Sequence, residues 1–234
     1  MRNLVIVRAG DNSLHSHWIE GRKPSDFDIF VSYYGVNDQK YKNNSDYYAS
    51  TAGLKYPIIA QHFLEHFGLS TAYDAFWFPG DDILTDSITI SKMFGLFHDH
   101  KLWLAQPALH SKGYVHRRLM TAISNSKLRY TNFVEIMCPI FSRYALQVLG
   151  STFNTSISGW GLDFIWPCLL GYPNDKIGVL DAVPVTHTRP FGGGLFYDKC
   201  AQMNVSPRRE YIQLLQRHGI NATPKMCVYN TIRK

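Results

Sequence analysis

Short apolar runs alternate with stretches of helical periodicity through the first 105 residues, and this alternation leaves the chain very few folds. Residues 4–7 are continuously apolar and β-branched, and Arg8-Ala9-Gly10-Asp11 closes them with a turn. Residues 27–34 form a second such run, ended by Gly35. Runs like these fit strands buried on both faces, as in a parallel sheet. Residues 36–50 are polar and read as a loop. Lys55-Tyr56-Pro57 then opens a helix with proline in its first turn, Ile58, Ile59, His62, Phe63 and Phe67 recur at helical spacing, and Gly68 sits where a C-cap belongs. A third strand, 73–78, stops at Pro79-Gly80-Asp81-Asp82. The next helix takes Asp86 or Ser87 as its cap and turns Ile90, Met93, Phe94 and Phe97 inward, and residues 102–105 supply a fourth strand. The order predicts an α/β fold: a Rossmann-like, mixed and mainly parallel sheet flanked by helices.

Beyond residue 106 the pattern loosens. Residues 133–141 read as a strand interrupted by Pro139, 142–149 as a helix, 162–170 as a helix broken by Pro167, and 177–180 as a short strand leading through Val185 to His187. Phe191-Gly192-Gly193-Gly194 reads as a flexible segment able to close as a lid over a ligand. Ser206-Pro207 opens a last amphipathic helix with Tyr211, Leu214 and Leu215 on one side and Gly219 at its end. A length of 234 residues suits one domain with an appendage: a main domain over 1–200, halved near 105, and a helical extension over 201–234 packed on it.

A net charge of +6 favours anionic partners, among them nucleotide phosphates and acidic lipid headgroups. The densest basic clusters are the pairs Arg117-Arg118 and Arg208-Arg209, too small for a nucleic-acid arm, so no nucleic-acid partner is expected. The cysteines at 138, 168, 200 and 227 lack metal-ligand spacing and are expected to be reduced. The apolar run after Met1 is too short for a signal peptide, and no run approaches the roughly 20 apolar residues that cross a bilayer. The expectation is a cytoplasmic protein, with basic and aromatic surface compatible with peripheral association at the inner face of a membrane. Oligomeric state is not legible.

Ligands bind at the carboxyl ends of strands in open α/β sheets, and Asp81 and Asp82 lie just past such an end. Adjacent acids there suit a hard divalent ion bridging two phosphates, although Pro-Gly-Asp-Asp is also ordinary turn chemistry. Trp160-Gly161-Leu162-Asp163 places an acid at a helix start, where it either caps the helix or serves a site. His187 follows a strand and precedes the glycine-rich segment, and Lys55 at a helix start could meet an anionic nucleotide. Each has a bland reading as a core histidine or a solvated lysine; their order along the chain gives them weight.

These stretches resemble the GT-A superfamily of glycosyltransferases, and within it a bacterial and plant family of glycosyltransferase-like proteins, domain of unknown function 707. The resemblance rests on residues 3–10, 27–35 and 73–83, on Gln106-Pro-Ala108, on 134–142, and on Gly159-Trp-Gly-Leu-Asp163. It implies a GT-A-like fold and a transferase that moves a sugar from a nucleotide-sugar donor, a UDP-sugar ahead of others, to a glycan or lipid-linked acceptor in polysaccharide biosynthesis. Of the Asp-x-Asp motif of such enzymes, Asp82 takes the last position and Asp81 the middle, while Gly80 departs from the expected first acid. The resemblance further implies Mn²⁺ or Mg²⁺ on Asp82 and His187, Arg8, Ala9, Gly10, Asp11, Lys55 and Asp81 around the donor, Trp160, Gly161 and Glu135 at the acceptor, and Asp163 as base if the reaction inverts configuration. Two rivals stay open: a catalytically silent carbohydrate-binding module, favoured by Gly80, and a nucleotidyltransferase, disfavoured because residues 8–12 hold a single glycine.

Overall fold

The apolar runs read in the first 105 residues are strands. The computed structural model describes the placement of every residue except Asp38, Phe67, Gly193 and Gly194, and every side chain except those four, Leu64 and Leu195. The elements are β1 (Asn3–Ala9), α1 (Ser16–Ile19), β2 (Asp28–Tyr33), β3 (Tyr47–Ser50), α2 (Lys55–Glu65), α3 (Leu69–Ala72), β4 (Ala75–Trp77), β5 (Ile83–Leu84), α4 (Ser87–Asp99), β6 (Leu104–Leu109), β7 (Ser126–Thr131), β8 (Ile140–Ser142), α5 (Arg143–Leu149), α6 (Leu162–Leu169), β9 (Ile177–His187), α7 (Leu195–Gln202), α8 (Pro207–Arg217) and β10 (Val228–Arg233).

Among the described residues the strands lie in the order β10-β7-β9-β6-β8-β4-β1-β2-β3, with β5 paired to the end of β9. Pairing is parallel for β1 with β2 and β4, for β2 with β3, and for β6 with β9. The short β8 is antiparallel to both β4 and β6, so β4 and β6 run the same way. It follows that β1, β4, β6 and β9 all present their carboxyl ends on one edge, which is where a ligand is expected. The sheet is a mixed α/β sheet of the GT-A type. Its core is aromatic: Trp18, Trp77 and Trp166 are fully buried, and each indole N–H finds an acceptor, Ile83 O, Cys138 O and Thr152 Oγ1 respectively.

Local chemistry sets the helix starts. Asp86 caps α4 by accepting from Thr89 N at 2.7 Å, and Ser206 caps α8 by accepting from Arg209 N. Four expectations are corrected. The 36–50 segment holds a strand, β3, on the sheet edge. Residues 133–139 are not a strand: Pro139 cannot donate to a ladder, and this backbone bonds to side chains instead, Glu135 N donating to Gln106 Oε1 and the Ile136 and Met137 carbonyls accepting from Lys55 Nζ. Pro167 does not break α6, because in so short a helix it forfeits only the bond to the Asp163 carbonyl. The stretch 201–234 is not a helical extension throughout: past the end of α7 at Gln202 it holds α8, and then β10, which pairs with β7 and extends the sheet. Phe67 of the helical spacing lies outside the described residues, as do Gly193 and Gly194 of the expected lid. No helix among the described residues is long and apolar enough to cross a membrane.

Candidate active site

The turn after β4 is built from its two acids, which do different work. Asp81 is buried, and its oxygens accept from Gly10 N at 2.8 Å, Arg189 Nη1 at 2.8 Å and, at 3.3 Å, the Tyr34 hydroxyl. Burial raises its pKa, with Gly10 and Arg189 opposing and the charge of Asp82 adding to the rise. A β-carbon at Gly10 would lie 2.9 Å from the Tyr34 hydroxyl, so any larger residue would displace that ring. Asp81 thus ties the end of β1 to the end of β4. Its oxygens are engaged within the fold, at the strand edge where a donor is expected.

Asp82 faces the other way. The two-residue β5 pairs with β9 so that Ile83 opposes His187, and Thr188 donates from N and Oγ1 to the Asp82 carbonyl at 3.0 and 2.8 Å. This ladder sets Asp82 Oδ2 3.1 Å from His187 Nε2, across 105 residues of sequence. His187 Nδ1 lies 3.1 Å from the Tyr114 carbonyl, which can only accept. With its proton on Nδ1, the ring turns the Nε2 lone pair toward a carboxylate oxygen. Two lone pairs in contact need a proton or a cation between them. Burial works to raise the Asp82 pKa, but the hydrogen bond and charge of His187 outweigh it and hold the carboxyl below its ordinary value. The pair fits a divalent cation as two ligands, leaving other positions to phosphate oxygens and water.

Gly80 has a reason as well. A β-carbon at this position would lie 2.6 Å from Asp82 Oδ1, so the Asp82 carboxylate occupies the space that an acid in the first motif position would need. Gly80→Ala should push Asp82 off His187. The expected result is a cation affinity at least about tenfold weaker, read by Mn²⁺ titration, with a melting temperature little changed; unaltered Mn²⁺ binding would show that Asp82 is not the ligand.

The other expected donor residues serve mostly the walls. Arg8 is buried and spends its guanidinium on Ser32 Oγ and the carbonyls of Thr51 and Gly53, and burial lowers its pKa to about 10. Ala9 is buried within β1. Asp11 stays half-exposed, accepting from the Tyr33 hydroxyl and Val36 N. The Lys55 ammonium donates to the carbonyls of Phe78, Ile136 and Met137 at 2.5, 3.0 and 2.8 Å, and so ties the end of β4 to the 136–137 backbone. Burial lowers its pKa to about 7.

On the acceptor side, Asp163 lies in the first turn of α6 and keeps a partly open face. Burial raises its pKa to about 7, against Arg117 and main-chain N–H groups of that turn. Glu135 is buried, its Oε2 has no hydrogen-bond partner among the described residues, and burial followed by the charge of Asp163 raises its pKa to about 8. Two carboxyls pushed away from ordinary values beside one guanidinium are a functional-site signature. Gly161 is left-handed at φ 94°, and a β-carbon there would meet Tyr211 and Leu214 of α8, so the close packing of that helix requires glycine here. Trp160 is half-buried, with its main-chain N–H on Ser158 Oγ. Glu210 of α8 accepts from Ile157 N and Ser158 N, both at 2.8 Å, and so holds the loop that leads to Asp163.

Sequence reasoning passed over Arg189 and Tyr114, took Arg117 only as half of a basic pair, and gave Phe191 only a place in the lid segment. Tyr114 and Phe191 are exposed rings flanking His187, the latter with centroids 4.8 Å apart. Only the position of Arg189, two residues after His187, hinted at its role.

The comparisons with known proteins agree with this frame. No curated protein matches the chain in sequence. Three structures of S. aureus TarS share its fold. The first superposes with a TM-score of 0.60 at 11% identity, covering 96% of this chain and 41% of that one, so the chain spans less than half of its length. TarS 1-349 gives 0.58 at 12% identity, covering 96% and 67%, and TarS 1-349 in complex with UDP-GlcNAc gives 0.53 at 14%, covering 96% and 68%. Identities this low speak to the fold alone. A family profile matches residues 54–213, more than half of the sequence, and on that match the chain belongs to the family described as Protein of unknown function (DUF707).

Proposed function

We propose that this chain is a metal-dependent glycosyltransferase that moves a sugar from a nucleotide-sugar donor to a glycan or lipid-linked acceptor. The observation that carries the reading is the Asp82–His187 pair, 3.1 Å apart at the carboxyl edge of the sheet, with the far nitrogen of the imidazole already engaged. A divalent cation bound there supplies charge stabilisation to the departing nucleoside diphosphate. Asp82 and His187 hold that cation, and Thr188 fixes the Asp82 backbone. Arg189 brings a partly exposed guanidinium to the same edge, pinned by Asp81 Oδ1 at 2.8 Å and the Asn12 carbonyl at 3.0 Å, where it favours the negative charge of the diphosphate. Asp163 takes the proton of the acceptor hydroxyl, and its pKa near neutrality suits a general base. The exposed faces of Tyr114 and Phe191 offer apolar platforms for a sugar ring beside the cation.

The UDP-GlcNAc complex of a structurally similar protein favours a UDP-sugar as donor. The silent-module alternative leaned on Gly80, and that support falls away because the space at Gly80 is what admits the Asp82 carboxylate.

The test is a thermal-shift screen of UDP-, GDP-, CMP- and dTDP-sugars with and without Mn²⁺. At a hundredfold excess over Kd, one donor should stabilise the protein by about 2.7 kcal/mol. That corresponds to a rise in Tm of roughly 5–10 °C, and it should need nucleotide and metal together. Stabilisation by free sugars alone, with none from nucleotides, would replace the transferase reading with a sugar-binding one.

A further inference from the structure

The C-terminal end of α2 carries His62 and Glu65, and His66 follows as its C-cap, so at spacings i, i+3 and i+4 the three side chains gather on one side. One ligand atom from each lies within 4.8 Å of the other two. His62 is fully buried, its Nε2 lies 2.5 Å from Ser32 Oγ, and its Nδ1 has no hydrogen-bond partner among the described residues. Glu65 Oε2 lies 3.6 Å from that nitrogen, within ion-pair range but too far for a hydrogen bond. The other oxygen of Glu65 accepts from Gln61 Nε2 at 2.6 Å, which leaves Oε2 directed at the gap. A buried ring nitrogen that makes no hydrogen bond among the described residues, with a carboxylate oxygen just out of reach, needs an explanation.

We propose that His62 Nδ1, Glu65 and His66 form a second cation site, one for a zinc-type divalent ion, with water completing a tetrahedral shell. Two imidazoles and one carboxylate match the donor set of such sites and favour zinc over the oxygen-loving Mg²⁺ and Mn²⁺. The surroundings supply what a ligand histidine needs. Ser32 Oγ accepts from Nε2–H, which leaves the Nδ1 lone pair for the ion, and Ser32 is itself held by Arg8 Nη1 at 2.6 Å. Glu65 is exposed and His66 half-buried, so an ion enters from solvent without opening the core. The site is separate from Asp82. Lys55 at the first turn of α2 braces the acidic turn, and His62 to His66 close the opposite end, roughly 15 Å away along an 11-residue helix. A bound ion would clamp the end of α2 to β2 through Ser32.

Equilibrium dialysis of tag-free protein against Zn²⁺, carried out on Asp82→Asn to silence the other site, tests this. One tightly held Zn²⁺ per chain is expected, and Co²⁺ in its place should show the strong visible bands of four-coordination. Glu65→Gln and His66→Asn change solvent-facing side chains and should each weaken binding at least about tenfold and remove those bands. No Zn²⁺ retained by Asp82→Asn, or retention unchanged in His66→Asn, would overturn the proposal, whichever way the donor screen turns out.

Discussion

Asp82→Asn is expected to abolish the metal-dependent part of donor binding and to lower sugar transfer about a thousandfold, while the unliganded protein keeps its melting temperature. The kinetic magnitude follows from the several kcal/mol that a cation contributes to a leaving group, each 1.36 kcal/mol being a factor of about ten. Stability is spared for a geometric reason. Asparagine keeps the shape of the side chain, its amide can donate to His187 Nε2, and the bonds from Thr188 reach the main-chain carbonyl at position 82, which the substitution leaves alone. Asp81→Asn is the contrast. Asp81 accepts from both Gly10 N–H and Arg189, one at each oxygen, and an amide cannot accept at both. That variant should lose about 1–3 kcal/mol of stability and retain Mn²⁺ dependence. Titrating a UDP-sugar with and without Mn²⁺ against both variants decides the matter: if Asp81→Asn loses the metal effect and Asp82→Asn keeps it, the cation is held by the other acid.

What was legible in the chain divides along physical lines. β1, β2, β4 and β6 could be read because a strand buried on both faces is a continuous apolar run. The starts of α4 and α8 could be read because Asp86 and Ser206 are ordinary capping residues. The β7–β10 pair could not, since Leu128 and Ile232 oppose each other from distant parts of the sequence and β10 has the half-exposed, unpatterned sequence of an edge strand. Among site residues, Asp82 announced itself by ending an apolar run. Its junction with His187 depends on β5, two residues long, which leaves no periodicity to detect. The bonds of Lys55 were hidden for a related reason: a lysine at a helix start looks alike whatever it faces, and its three carbonyl partners depend on the path of residues 136–137. Arg117, Arg189, Tyr114 and Phe191 belong to loops and strand ends whose composition is unremarkable until the sheet gathers them.

Asp163→Asn should make the protein more stable and far less active, and this opposition of signs identifies the residue's role. An acid in the first turn of a helix ordinarily interacts favourably with the helix dipole, and neutralising it costs roughly 0.3–1 kcal/mol. Asp163 sits in that turn, yet burial drives its pKa from 3.8 up to about 7. A folded-state pKa above the unfolded one means the fold prefers the protonated acid. Stability from this group is therefore complete below about pH 4 and drains away as pH rises through 7. Asparagine removes the burden, so at pH 8 the variant should gain a few kcal/mol, with little or no gain at pH 4. The same ionisation is what a general base requires, so transfer by the unsubstituted protein should rise with pH through about 7. A carboxamide in this place cannot take a proton, and the rate should fall by about 10²–10⁴ with donor binding intact. Thermal melts at pH 4 and pH 8, beside a pH–rate profile, read both halves. A variant less stable at pH 8 would mark Asp163 as a helix-dipole partner. A stabilised variant whose loss lies in the KM for acceptor, with kcat held, would make it an acceptor ligand of a retaining enzyme, which needs no base.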